Sequence, residues 1–256
     1  LDAPVDDPNF GDEWHLQNLG QNSDALEGAD INALPAWAIT AGEGVLVAIQ
    51  DSGVDLAHAD LDLVLPGLDI IDDDEDASPN LNDDGGPHGT AVAGLTAAIG
   101  DNALGVAGVA WRARVLPVRM IGSPEFGPGP TLGDLHDAFA FSVDAGADVI
   151  NNSWSFVGGD CSSAPDYAAL RDAVEYARIE GRGGLGTVVV FASGNEACED
   201  TVFPVLTAPG VISVGAVNDR DRHIGYSSGG PDLDIVAPSG GAGGAMIWTT
   251  DVTGEP

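Results

Sequence analysis

The sequence contains no lysine: its eight basic residues are all arginines, set against 41 aspartates and glutamates, for a net charge of −33 over 256 residues. A field of that sign repels phosphate backbones and anionic lipid surfaces. Neither nucleic acid nor a membrane surface is therefore an expected partner, whereas Ca²⁺ and cationic peptides would be attracted. Abundant aspartate without lysine also suits a salt-rich or calcium-rich outside setting, with genomic base bias as the alternative source. No apolar run approaches the roughly 20 residues of a membrane span. There is no internal repeat and no domain linker. A nucleotide-cradling loop is missing too: Gly42 and Gly44 precede an apolar run, whereas phosphate-binding glycines must follow a strand and open a helix. Cysteine is confined to Cys161 and Cys198. The chain opens on Leu1 without methionine, signal peptide or propeptide, so it is read as a mature or trimmed product.

What is present suits one α/β domain with a single buried core, residues 1–40 forming an N-terminal arm and 41–256 the core. Apolar runs of strand length at 44–50, 115–120, 148–153, 187–192 and 211–216 alternate with helix-like spacing at 89–98, 132–144 and 166–181. That alternation predicts a mostly parallel sheet with helices on both faces. Acids early and an arginine late make 166–181 the clearest helix. Asp72 to Asp76, with Asn80, Asn82, Asp83 and Asp84, reads as a solvated acidic loop, an extra calcium site being the rival. Gly122 to Gly133 reads as a mobile rim.

Four strings carry chemistry. The run Gly44-Val-Leu-Val-Ala-Ile-Gln-Asp51 is a buried strand with Asp51 at its C-terminal end, where open α/β sheets put their reactive groups. Pro87-His-Gly-Thr-Ala-Val-Ala-Gly94 sets His88 at the start of a small-residue helix. Thr187-Val-Val-Val-Phe-Ala-Ser-Gly-Asn195 is a β-branched strand ending in a turn, and Val149-Ile-Asn-Asn-Ser-Trp154-Ser is another strand end. A hydroxyl nucleophile needs an imidazole to take its proton and a carboxylate to hold that imidazole in the right tautomer. Asp before His, in this order, suits such a pair.

These strings resemble the subtilisin-like serine proteases. The resemblance implies a subtilisin-like three-layer α/β fold and secretion, with the periplasm as an alternative location. It implies that Asp51 orients His88, that His88 is general base then acid, and that Asn195 donates to the oxyanion. It further implies a substrate groove at Ser153, Trp154, Ser155, Ala192, Ser193 and Gly194, pairing with an extended peptide through backbone. The opening strings Asp7-Pro-Asn-Phe, Glu13-Trp-His-Leu-Gln-Asn and Ala29-Asp-Ile-Asn-Ala-Leu-Pro-Ala-Trp37 are similar to the kexin and furin branch. In that branch a calcium ion would be held by Asp7, Asp60, Asn102 and the carbonyls of Ile99, Leu104 and Val106. This is the mixed oxygen set that Ca²⁺ favours.

The same branch surrounds its first pocket with acids and prefers Arg or Lys before the cleaved bond. Here Asp160, Glu199 and Asp200 are the acids available, and the branch's second calcium site near that pocket loses a family carboxylate around Tyr226-Ser-Ser. Cys161 and Cys198 follow strings that flank that pocket, so a disulfide between them is implied, two buried free thiols being the alternative.

The family's third member is missing. No Gly-Thr-Ser-x-Ala string occurs, and Ser227, Ser228 and Ser239 lack its setting. The expectation is a serine endopeptidase acting on peptide or protein substrates, with the nucleophile in a continuation of the chain or on an associated C-terminal fragment. A non-catalytic, calcium-dependent peptide-binding pseudoprotease is the alternative. On either reading this polypeptide alone is expected to be inactive.

Overall fold

The computed structural model describes residues 5–82, 85–122, 131–155, 161, 168–199, 203–241 and 243–253. Seven parallel strands form one sheet in the order β2-β3-β1-β4-β5-β6-β7. They are β1 (Leu46–Asp51), β2 (Leu68–Asp69), β3 (Arg114–Arg119), β4 (Val149–Asn152), β5 (Val188–Ala192), β6 (Val211–Val217) and β7 (Ile235–Pro238). Among the described residues four α-helices accompany them: α1 (Ala33–Trp37), α2 (His88–Ala97), α3 (Leu132–Asp144) and α4 (Ala168–Gly184).

Alternation along β1 assigns the layers. Leu46 and Ala48 face a core built with α3 and α4, where Leu135, Ala138, Phe139, Leu170 and Val174 are buried. Val47 and Ile49 face the opposite way, onto Ala93 and Ala97 of α2. Successive strand residues point to opposite sides, so a central strand covered on both faces is apolar on both, as β1 is from Leu46 to Ile49. The α3/α4 side is closed by an aromatic group, with Trp154 and Phe203 both edge-on to Phe191 at ring separations of 5.2 and 5.9 Å. Thr131 caps α3 and Asp134 returns the bond, a reciprocal capping box.

Five strands and three helices coincide with the expected runs to within a few residues. α4 continues to Gly184 through non-helical Gly181, Arg182 and Gly183; the expected start at 166 lies outside the described residues. β2 and β7 were not expected. β2 has only two residues, too few for a periodic pattern, and the four-residue β7 ends in Pro238, which has no N–H for a ladder.

The N-terminal arm lies across the core. Val5, Phe10, Leu16 and Ala33 form a separate cluster with Ala107. Trp14 Nε1 donates to the Met246 carbonyl (3.0 Å) and Asn18 Nδ2 to that of Asp219 (3.1 Å). Among the described residues no helix is long and apolar enough to cross a membrane.

Candidate active site

Asp51 is the last residue of β1, fully buried, and His88 is the first of α2. His88 Nδ1 donates to Asp51 Oδ1 across 2.7 Å, and the Ser52 N–H donates to the same oxygen at 2.7 Å. The other oxygen, Oδ2, is buried without a hydrogen-bond partner among the described residues. Sequence reasoning passed over Ser52, the residue that follows the quoted string. Its Oγ donates to the Gly86 carbonyl (3.2 Å) and accepts from the Gly89 N–H (3.0 Å), tying the start of α2 to the end of β1. Gly89 permits that approach: a Cβ there would collide with the Gly53 carbonyl oxygen and lie 3.1 Å from Asp51 Cβ.

The hydrogen bond to Asp51 raises the His88 pKa above the ordinary imidazole value, against the opposing effect of burial. With Nδ1–H engaged, neutral His88 keeps its free lone pair on Nε2, the atom a general base needs. The His88 side chain is half exposed, at 51%, so a reacting group has access to it.

A cavity of about 600 Å³ opens beside the imidazole. Its walls come from α2 (His88, Val92, Leu95), from β5 with its following turn (Val190 to Asn195) and from Ser153, Tyr226 and Ser227. Ser153, Ala192, Ser193, Gly194 and Asn195 thus share one cavity with His88. Asn195 is exposed, while Ser193 is buried with its Oγ donating to the Ser228 carbonyl (2.7 Å). Gly194 has φ +106°, and a Cβ there would meet Glu196 Oε2 at 2.6 Å. Trp154 and Ser155 do not line the cavity. The Trp154 indole turns into the core and donates to the Gln50 carbonyl at 2.9 Å, leaving only backbone to face a ligand.

Cys161 and Cys198 form a disulfide with a Cα–Cα distance of 5.6 Å. It ties the segment beyond Trp154 to the turn after Asn195. Of the acids considered for the first pocket, Glu199 is exposed, while Asp160 and Asp200 lie outside the described residues. Most of the expected rim at 122–133 lies outside them as well, as do Asp83 and Asp84 of the acidic loop. Within that loop Asp72 pairs with Arg119, as does the neighbouring Asp69.

The expected calcium ligands gather where the arm meets the loop after α2. Asp60 Oδ1 accepts from Asn102 Nδ2 (2.7 Å) and Oδ2 from the Val106 N–H (3.2 Å). Asp7 Oδ2 accepts from the Asp101 N–H at 2.8 Å. The Leu104 N–H donates to Asn102 Oδ1 (2.8 Å), and that of Ile99 to the Asp60 carbonyl (2.9 Å). A side chain at Gly105, φ +52°, would collide with Asp60 Oδ2.

Burial, then the nearby Asp7 carboxylate, raises the Asp60 pKa, against the pull of its hydrogen bonds. Glu13 lies with them, buried, and burial followed by repulsion from Asp7 and Asp60 pushes it up to about 8. No arginine pairs with any of these three carboxylates among the described residues. No group of three or more His, Cys, Asp or Glu side chains there has metal-holding geometry. The expected set needs only two carboxylates, its remaining donors being an amide and carbonyls. Two buried aspartates beside an amide and carbonyls make a mixed oxygen set that fits a hard divalent cation.

Comparison with known proteins gives a consistent result. Residues 42–255 match the model of the subtilase family. The chain is 41% identical over 205 residues to a thermophilic serine proteinase of Bacillus sp. (strain AK1), covering 79% of this chain and 46% of that protein. It is 31% identical over 265 residues to a calcium-dependent protease of Trichormus variabilis, covering 96% of this chain and 38% of that one. It therefore spans less than half the length of either relative. The crystal structure of the Aeromonas sobria serine protease in complex with a chaperone superposes with a TM-score of 0.81 at 24% identity. That superposition covers 93% of this chain and 43% of that chain, and shares the fold.

Proposed function

This chain belongs to the subtilase family, and on that premise we propose that it supplies the Asp–His half and the oxyanion donor of a serine endopeptidase. The observation that supports this most is the 2.7 Å contact from His88 Nδ1 to buried Asp51 Oδ1, beside a cavity that also takes in Asn195. Asp51 holds the imidazole so that Nε2 faces the reacting group. His88 then takes the proton of a serine hydroxyl as that hydroxyl attacks the scissile carbonyl, and returns it to the departing amine. Asn195 donates its amide to the oxyanion of the tetrahedral intermediate. The nucleophile is a serine in the family setting Gly-Thr-Ser-x-Ala, a string absent from these 256 residues.

The substrate is a peptide or protein chain. Ser153 to Ser155 and Ala192 to Gly194 pair with its backbone, and the acidic surface draws cationic segments toward the groove. We assign the chain to the kexin and furin branch on its opening strings. Asp7, Asp60, Asn102 and the carbonyls of Ile99, Leu104 and Val106 hold one calcium ion. Its contribution is to cross-link the arm to the core. The disulfide and the acidic surface suit an extracellular, oxidising setting.

Peptide hydrolysis by the protein as its own gene produces it tests the reading. His88→Ala should abolish turnover, a loss on the order of 10⁶-fold, and Asn195→Ala should lower it about 10²–10³-fold. Undiminished hydrolysis by the His88→Ala protein overturns the assignment. A protein that binds peptides in the groove but hydrolyses none, however assayed, supports the pseudoprotease alternative.

A further inference from the structure

We infer that Glu13 is a positioning residue for the calcium site, acting through a single peptide plane rather than as a ligand. The inference rests on the calcium reading above. Glu13 Oε2 accepts from the Ala107 N–H at 2.9 Å, a contact between residues 94 apart in sequence, with Glu13 1% and Ala107 0% exposed. The Ala107 N–H and the Val106 C=O belong to the same peptide unit. In a trans peptide the two groups point in opposite directions, and the unit is planar and stiff. Anchoring the N–H on Glu13 therefore fixes the direction of the Val106 carbonyl, one of the expected ligands.

The preceding peptide is held in a similar way. The Val106 N–H donates to Asp60 Oδ2, so the loop is pinned at consecutive amides by two carboxylates. One of them, Asp60, is an expected ligand; the other comes from the N-terminal arm. Glu13 is itself held in place by its backbone. Its N–H donates to the Phe10 carbonyl, and its own carbonyl accepts from Leu16 and Gln17. The arm thus contributes an expected ligand, Asp7, and through Glu13 the orientation of another. Partners that orient ligands typically matter by about 10–100-fold in metal affinity.

The role needs a hydrogen-bond acceptor of the right length, and needs no charge. Glutamine keeps a carbonyl oxygen in reach of Ala107. Methionine keeps the length and loses the acceptor. The test is calcium titration of the chelator-treated protein by isothermal calorimetry, for the unmodified protein, Glu13→Gln and Glu13→Met. Thermal melting in excess chelator measures metal-free stability separately. Glu13→Gln should bind within about threefold of the unmodified protein and Glu13→Met about 10–100-fold more weakly. Should Glu13→Met fail to fold, Glu13→Asp replaces it. Aspartate keeps the charge but is one methylene shorter, and should bind about tenfold more weakly.

If the unmodified protein binds no calcium, the calcium reading falls and this inference with it. If it binds and the Met or Asp variant binds equally well, the inference alone is overturned. If Gln is as weak as Met, charge rather than the peptide-plane anchor is responsible, and the positioning role is likewise refuted.

Discussion

Replacing Asp51 by asparagine separates the electrostatic from the steric part of the Asp51–His88 contact. The carboxylate is fully buried, and its Oδ1 takes both His88 Nδ1 and the Ser52 N–H at 2.7 Å. An amide fits the same space without the charge. The His88 pKa is raised by this hydrogen bond and by the charge behind it, while burial alone would lower it. Removing the charge should lower the value, to below that of a free imidazole, because burial then acts unopposed. At a half-exposed ring, where solvent screens the pair, the lost ion pair is worth roughly 0.5–1 kcal/mol of stability.

The sign follows from proton linkage. A histidine whose folded pKa is raised contributes stability that is fully present below its unfolded value and is lost as pH rises through the folded value. The stability gap between the parent protein and Asp51→Asn should therefore be widest under mildly acidic conditions and narrow as pH rises through the folded-state pKa. Two-dimensional NMR titration of the imidazole Cε1–H signals reads this directly. His15, pushed down to about 4 by burial, stays outside the window. A His88 that titrates identically in both proteins, or at the free value in the parent, would refute the reasoning.

Two further substitutions probe the scaffold around the site. Gly89→Ala puts a methyl group into the Gly53 carbonyl and against Asp51 Cβ, and should cost about 3 kcal/mol in urea unfolding; a loss below about 0.5 kcal/mol would mean that α2 shifts freely on β1. Replacing Cys161 and Cys198 together by serine opens a cross-link spanning 37 residues. Loop-closure entropy puts the cost near 4 kcal/mol, so a thermal midpoint unchanged from that of the oxidised protein would show that the bridge does not restrain the unfolded chain.

Much of this molecule was legible before folding. β1, β3, β4, β5 and β6 contain or fall within mostly apolar stretches because a central parallel strand is covered on both faces, and local burial leaves a local signature. Asp51 and His88 stood out for a similar reason: one ends such a run and the other opens a helix of small residues that lies on it. β2 and β7 left no such mark, being too short or too near proline and glycine.

Contacts between distant segments were decided only in three dimensions. Ser52 clasps Gly86 and Gly89, the Trp154 indole turns inward onto Phe191, and Glu13 reaches Ala107 from the other end of the fold. Periodicity records which face of an element is dry. It does not record which neighbour the sheet order β3-β1-β4 brings to that face. Strand order, the strap of the arm and the 2.7 Å geometry by which Asp51 meets the His88 expected beside it depend on packing across that sheet, and so were decided by the tertiary structure.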